Sequence, residues 1–101
     1  MSSGHRTVTG AVIGTGADIE VRRVGFRPRR VALLNTTGAV TAEWQDSMPD
    51  ASAVKRITAG DATYLTSKGI TPLSDGFKIG DDTDINVAGG TPETIHWTAW
   101  E

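Results

Sequence analysis

Oxygen-bearing side chains alternate in one short segment, the first arrangement in this sequence that could do chemistry. Asp82, Asp84 and Asn86 occupy every second position. Their spacing is similar to that of calcium ligands in an EF-hand loop, although the glycine expected at the sixth position is Val87. On a strand, the three side chains would share one face. The segment therefore predicts either a polar strand face or a site where these three side chains bind Ca²⁺ or Mg²⁺.

A cluster of arginines is the second candidate. Its members are Arg22, Arg23, Arg27, Arg29 and Arg30. Such a cluster could bind phosphates, but the net charge of −2 and the single aromatic residue among the arginines, Phe26, argue against nucleic acid as a partner. Arginine is also enriched at protein interfaces, because its guanidinium pairs with carboxylates through two parallel hydrogen bonds. We predict that the five arginines contact acidic groups of this chain, of a second copy or of a partner protein.

The charges of the chain are unevenly distributed. Residues 1–34 contain six basic and two acidic residues, a net charge of +4, whereas residues 75–101 contain six acidic residues and one lysine, a net charge of −5. A basic part and an acidic part on one small chain favour head-to-tail contact between copies. The sequence therefore predicts a homo-oligomer.

Residues for catalysis are not apparent. The chain has no cysteine, and neither His5 nor His96 lies in a recognisable catalytic motif. Gly14 and Gly16 begin a pattern similar to a dinucleotide-binding loop, but Ile19 replaces its third glycine and a strand pattern follows. That segment is predicted to be a turn between two strands. We predict no catalytic residue, no cofactor and no enzymatic activity.

Short strands must position these side chains, since apolar residues rarely recur with helical spacing. Gly, Pro and Asp separate segments with strand patterns, and one helical turn at Asp50–Val54 is the exception, because Asp50 could cap it. The predicted strands are Thr7–Ile13, Asp18–Val24, Arg30–Asn35, Val40–Asp46, Ala53–Thr58, Ala62–Thr66, Gly76–Ile79, Asp84–Val87 and Thr94–Trp100. This pattern predicts an all-β fold, a small antiparallel β-sandwich or barrel with little or no helix, over residues 7–101, preceded by a flexible arm at residues 1–6.

Alternation in the last strand identifies a sixth candidate interface residue. Ile95, Trp97 and Ala99 occupy one face of this strand, so Trp100 lies on the opposite face with His96. A tryptophan on an outer face exposes much apolar area unless something covers it. We therefore expect Trp100 to be covered either by a loop of the same chain or by another subunit.

The sequence predicts no membrane-spanning segment and no membrane as a partner. No stretch of the 101 residues approaches the roughly 18 consecutive apolar residues of a membrane span. The first residues lack the apolar region of a secretion signal, so we expect synthesis in the cytoplasm. A domain of this size buries only about 60–65% of its unfolded surface, which leaves a small core that partner subunits would support.

Several segments of the chain together resemble a known class of proteins. Residues 25–35 have the pattern G-F-x-P-x-x-V-x-x-x-N and precede Trp44. Gly76-Phe-Lys-Ile-Gly80, Asp84-Ile-Asn86 and Trp97-Thr-Ala99 follow in that order. This ordered set resembles small structural proteins of tailed bacteriophages, and it is similar to β-sandwich modules of phage tail-fibre proteins.

The resemblance implies a virion structural protein, and for a chain this small a capsid decoration (cement) protein. Such proteins bind and stabilise the shell of major capsid protein, commonly as trimers, so the expected location is the capsid surface of a virion assembled in the host cytoplasm. In that case, the five arginines would face the acidic surface of the capsid. The alternative is a tail- or head-fibre tip that binds a host-surface glycan through Trp100, Trp44 or Tyr64.

Overall fold

The computed structural model describes residues 6–57, 60–87 and 93–101. Within these ranges the chain has no helix. Its eight strands are β1 (Thr7–Ile13), β2 (Ile19–Val21), β3 (Arg30–Asn35), β4 (Val40–Gln45), β5 (Ser52–Arg56), β6 (Ala62–Leu73), β7 (Gly76–Ile79) and β8 (Thr94–Trp100). The predicted all-β class is confirmed.

All eight strands belong to one antiparallel sheet that curls into a half-barrel, in the order β1-β8-β3-β4-β5-β6-β7-β2. The two edge strands, β1 and β2, are consecutive in the chain and joined by residues 14–18. Because five residues span only about 17 Å at most, this connection holds the two edges of the sheet near each other.

The core lies on the concave side of the sheet. Ile95, Trp97 and Ala99 of β8 are buried, as their alternation predicted. Trp97 contacts Phe77 of β7 edge to face, with ring centroids 5.4 Å apart. The buried hydrophobic side chains on β2, β3, β4, β5 and β6 complete the core: Val21, Val31, Leu33, Val40, Ala42, Trp44, Ala53 and Ile70.

Two loops cross the ends of the half-barrel and add side chains to this core. Residues 22–29, the arginine loop, run from β2 to β3 and bury Val24 and Phe26. Residues 80–87, the plug loop, follow β7 and bury Ile85 at the opposite end. The arginine loop and the plug loop, which contains Asp82 and Asp84, therefore lie at opposite ends of the half-barrel, whereas Asp75 pairs with Arg22 and Glu101 pairs with Arg6.

The predicted strand over Asp84–Val87 is wrong. The Asp82 carboxylate accepts hydrogen bonds from the backbone N–H groups of Asp84 (3.0 Å) and Ile85 (3.3 Å). The backbone carbonyl of Asp82 accepts a hydrogen bond from the backbone N–H of Asn86 (2.9 Å). Aspartate often stabilises turns in this way, because its short side chain competes with the sheet for backbone donors. The plug loop is therefore a turn.

Several other boundaries differ from the prediction, and β4 ends at Gln45, one residue before the predicted Asp46. The helical turn at Asp50–Val54 is wrong, since β5 already begins at Ser52. β2 is shorter than predicted, because the chain leaves the sheet after Val21 to cross the barrel end. β6 is longer than predicted and extends to Leu73, but its pairing with β5 skips residues 66–69. This bulge begins where the predicted strand ends, at Thr66, and contains Lys68, whose φ is 64°.

Candidate interaction surface

Two of the six predicted interface residues are adjacent on the convex side of the sheet. Arg30 of β3 is directly opposite Trp100 of β8, and its guanidinium lies 4.6 Å from the centre of the indole ring. The same guanidinium donates a hydrogen bond to Glu43 on β4, at 3.2 Å. Trp100 is half-buried. Part of the cover that we expected from a loop or a second subunit is thus supplied by Arg30.

The remaining arginines point to different places. Arg22 lies near the edge strand β2 and pairs with Glu20 (3.1 Å) and Asp75 (2.9 Å). The pKa of Arg22 is raised above its ordinary value, chiefly by the hydrogen bond to Glu20 and the negative charge of that carboxylate. The hydrogen bond to Asp75 and its charge raise the pKa further. Of the five predicted arginines, Arg23, Arg27 and Arg29 are exposed and form no ion pair within the described part of the chain. The five arginines therefore do not form one continuous patch.

Another arginine, Arg6, was not among the predicted interface residues. It donates two hydrogen bonds to Glu101, at 2.6 and 2.7 Å, and stacks over Phe26 at 5.0 Å. The hydrogen bond to Glu101 raises the pKa of Arg6. Residues 1–5 of the predicted flexible arm lie outside the described residues. The sequence carries no local signal for this ion pair, because it depends on the pairing of β1 with β8, which brings both ends of the described chain together.

The convex side of β1, β8, β3, β4 and β5, here called the outer face, is a broad surface of mixed small and large side chains. Strand register places alternate residues of each strand on it. They are Thr7, Thr9, Ala11 and Ile13; Thr94, His96, Thr98 and Trp100; Arg30, Ala32 and Leu34; Thr41, Glu43 and Gln45; and Val54 and Arg56. Most of them are uncharged.

The exposed large hydrophobic side chains also lie on this surface. In the described part of the chain they are Ile13, Leu34 and Tyr64, with 54%, 40% and 52% of their surface exposed. Tyr64 of β6 is directly opposite Val54, so it extends the outer face beyond β5. They belong to β1, β3 and β6 and are separated by intervening strands, so an interaction surface on this side would use apolar side chains spaced across the sheet. Sequence patterning alone could not find it, because each residue comes from a different strand.

The proposed ion site is organised around a lysine. Lys55 of β5 directs its ammonium group between Asp82 (3.0 and 3.2 Å) and Asp84 (2.7 Å). The side chains of Lys55 and Asp82 are about nine-tenths buried, whereas that of Asp84 is half exposed. The positive charge between these carboxylates is thus supplied by the chain itself. Among the residues that the structure describes, no group of three or more His, Asp or Glu side chains is placed to hold a metal ion.

Asn86, the third predicted ligand, turns away from the two aspartates. Its Oδ1 accepts hydrogen bonds from the backbone N–H groups of Thr15 (2.8 Å) and Gly16 (3.1 Å). Its Nδ2 donates to the carbonyl oxygens of Ala17 (2.6 Å) and Gly80 (3.0 Å). The Gly14–Gly16 segment is the predicted turn between two strands, and Asn86 attaches this turn to the plug loop.

The protonation of Lys55 predicts how stability depends on pH. Burial by itself lowers the pKa of Lys55, but hydrogen bonds to Asp84 and Asp82 outweigh it and raise the pKa above its ordinary value of 10.5. A group with a raised pKa in the folded state stabilises the fold fully below its unfolded pKa, and this contribution disappears as the pH rises through the folded pKa. Above pH 10.5, the free energy of unfolding should therefore fall more steeply for the wild type than for Lys55→Met. Equal slopes in alkaline urea titrations would contradict this.

Comparison of the chain with protein-family models, with curated proteins and with solved structures found no match. No helix of the described residues is long and apolar enough to cross a membrane. Functional interpretation therefore depends on the surface residues and on the resemblance of the sequence motifs.

Proposed function

We propose that this protein is a bacteriophage virion structural protein, a capsid decoration protein whose outer face binds the major capsid protein. The exposure of Ile13, Leu34 and Tyr64 on the convex side of the sheet is the observation that supports docking. The ordered motifs along the chain, which resemble those of small virion proteins, support the identity of the partner. The protein would bind the folded major capsid protein of the shell and not its unfolded chain, and this difference in affinity would stabilise the shell against unfolding.

The size of the outer face favours an oligomer. Five strands about 4.8 Å apart and about 20 Å long cover a rectangle of roughly 400 Å². This is about half of the 800 Å² or so that each partner contributes to a stable interface of standard size. A homotrimer would present three such faces to the shell, and multivalent contact raises affinity without requiring new contacts within each face.

The alternative is a fibre tip that binds a host-surface glycan. Of its three proposed aromatic residues, Tyr64 is half exposed and favours this function. Trp44, in contrast, is only 2% exposed and donates its indole N–H to the Pro49 carbonyl. Trp100 is stacked under Arg30. A sugar would therefore meet one free aromatic ring among these three.

Copy number separates the two functions. Quantitative gel analysis and mass spectrometry of purified virions should give hundreds of copies of a decoration protein, whereas a fibre tip is present in a handful of copies at one place. Imaging of virions with and without the protein should show density on the capsid surface. A handful of copies at the tail would exclude the decoration function.

Replacing Trp100 with alanine should weaken binding more than folding. The change removes an aromatic ring and the cation–π contact with Arg30 from the outer face but leaves the buried side of β8 intact. We expect association with capsids or with other subunits to weaken about ten-fold or more, as for an aromatic anchor, with a shift of only a few degrees in Tm. Ser67→Ala, in the exposed bulge of β6, is the control. Unchanged association with a large loss of Tm would show that Trp100 only stabilises the fold.

A further inference from the structure

The two edges of the sheet face each other across a cleft of about 450 Å³. Gly10 and Val12 of β1 line one side of it, and Val21 of β2 with the adjoining Arg23 lines the other. In the described part of the chain, no backbone hydrogen bond joins β1 to β2. Each edge therefore presents backbone N–H and C=O groups with no partner strand toward the cleft.

A buried donor without an acceptor lies in this cleft. Trp97 contributes to its lining and is only 7% exposed, and its Nε1–H has no hydrogen-bond acceptor among the described residues. The ring lies directly beneath Gly10, where an added Cβ would come within 2.6 Å of Trp97 Cζ2 and 3.1 Å of Nε1. Buried polar groups are nearly always paired in native proteins, so an unpaired indole N–H beside a cleft points to an acceptor that enters from outside.

We propose that this cleft binds an extended segment of a partner protein, which adds a strand between β1 and β2. Strand addition satisfies the backbone groups of exposed sheet edges and is a common way to recognise extended peptides. Because strands of this chain flank the cleft on both sides, the incoming segment has no room for neighbouring strands of its own. A free tail of the partner meets this requirement, whereas the edge of another sheet, including that of a second copy, does not.

The walls of the cleft specify the chemistry of the tail. Val12 of β1 and Val21 of β2 line the cleft with apolar side chains, so inward positions of the tail should be apolar. The inward position nearest Gly10 should be serine or threonine, whose hydroxyl oxygen can accept the Trp97 N–H. The exposed Arg23, which forms no ion pair within the described chain, would pair with an acidic residue of the tail. This inference does not depend on the identity of the partner as a capsid protein.

The direction of the tail follows from the topology. Strands alternate in direction along the order of the sheet, so its first and eighth strands, β1 and β2, run in opposite directions. A single inserted strand is therefore antiparallel to one edge and parallel to the other. β1 is seven residues long and β2 three, so antiparallel pairing with β1 would form the longer ladder.

A synthetic peptide can test the proposal with the whole chain. The probe is the capped heptapeptide Asp-Val-Thr-Ser-Thr-Val-Lys, with its reversed sequence as a second probe and an alanine in place of the central serine as the comparison. Titrated into ¹⁵N-labelled protein, the better of the two serine probes should shift the Trp97 indole resonance downfield and protect amides of β1 and β2 from exchange. It should bind about five-fold more tightly than its alanine version, as expected for one hydrogen bond.

Two variants make the test specific. Trp97→Phe keeps an aromatic ring but removes the donor, so it should abolish the preference for serine while strand addition persists. Arg23→Ser should weaken binding at low salt, whereas Arg27→Ser, at an exposed arginine outside the cleft, should not. The proposal is overturned by equal affinity for the serine and alanine probes, by no binding of any probe at millimolar concentration to folded protein, or by shifts confined to the outer face. Shifts of the β1 amides with protein concentration alone would assign the edge to a second copy and also overturn it.

Discussion

Replacing Asn86 with alanine is expected to lower the free energy of unfolding by about 3 kcal/mol. The Asn86 side chain makes four hydrogen bonds to the backbone of two loops, and the residue is only 2% exposed. Alanine leaves two N–H groups and two carbonyl oxygens without these partners, and each buried polar group left unsatisfied costs about 1–3 kcal/mol, less where water can enter. The turn at Thr15 and the plug loop should then separate.

Urea unfolding followed by tryptophan fluorescence measures this effect. Thr83→Ala, at an exposed position of the same loop, is the matched control and should change stability by less than about 0.5 kcal/mol. Hydrogen exchange should show the loss locally, with faster exchange at Thr15 and Gly16 than in the central strands. A loss of less than about 1 kcal/mol for Asn86→Ala would mean that the four hydrogen bonds contribute little to attaching the plug loop.

Replacing Lys55 with methionine should have the second largest effect, a loss of about 2 kcal/mol near neutral pH. Methionine keeps most of the volume of the lysine side chain but leaves the buried Asp82 carboxylate without its counter-charge. Breaking a fully buried ion pair costs about 3–5 kcal/mol. The expected loss is smaller here because Asp84 is half exposed and water can solvate part of the site.

Lys78→Met is the control for this prediction. Lys78 Nζ lies 3.7 Å from Asp18 Oδ2, and both side chains are more than one-third exposed, so their pairing should contribute less than about 0.5 kcal/mol. Comparing the two variants by chemical unfolding separates a buried lysine from an exposed one. Similar small losses for both would show that the Lys55 cluster is solvated in solution.

Much of the sheet could be predicted from the sequence. The bounds of β1, β3, β7 and β8 match the predicted strands, because these segments are rich in β-branched, aromatic or other apolar residues and are bounded by turn residues. In β8, apolar and polar residues alternate, and this alternation correctly predicted that Trp97 faces the core and that Trp100 lies on the opposite side of the strand. Local pattern was sufficient wherever one face of a strand is buried and the other is not.

The plug loop could not be predicted, since its conformation depends on partners distant in sequence. Asp82 pairs with a lysine 27 residues earlier, and Asn86 binds backbone groups about 70 residues earlier. A sequence with oxygen-bearing side chains at alternate positions is compatible both with a strand and with a turn that is stabilised by its own aspartate. Likewise, the arginines of residues 22–30 are adjacent in sequence, but they diverge because the chain crosses a barrel end between Arg22 and Arg30.

The pairing of β1 with β8 has a consequence for synthesis of the protein. Residues 7–13 hydrogen-bond with residues 94–100, so β1 leaves the ribosome about 80 residues before the strand with which it pairs. At roughly 5–20 residues per second, β1 waits roughly 4–16 s for its partner. Contacts this distant in sequence also slow folding. During that interval β1, which contains no charged residue, has both edges open, and the nascent chain is most prone to aggregation there.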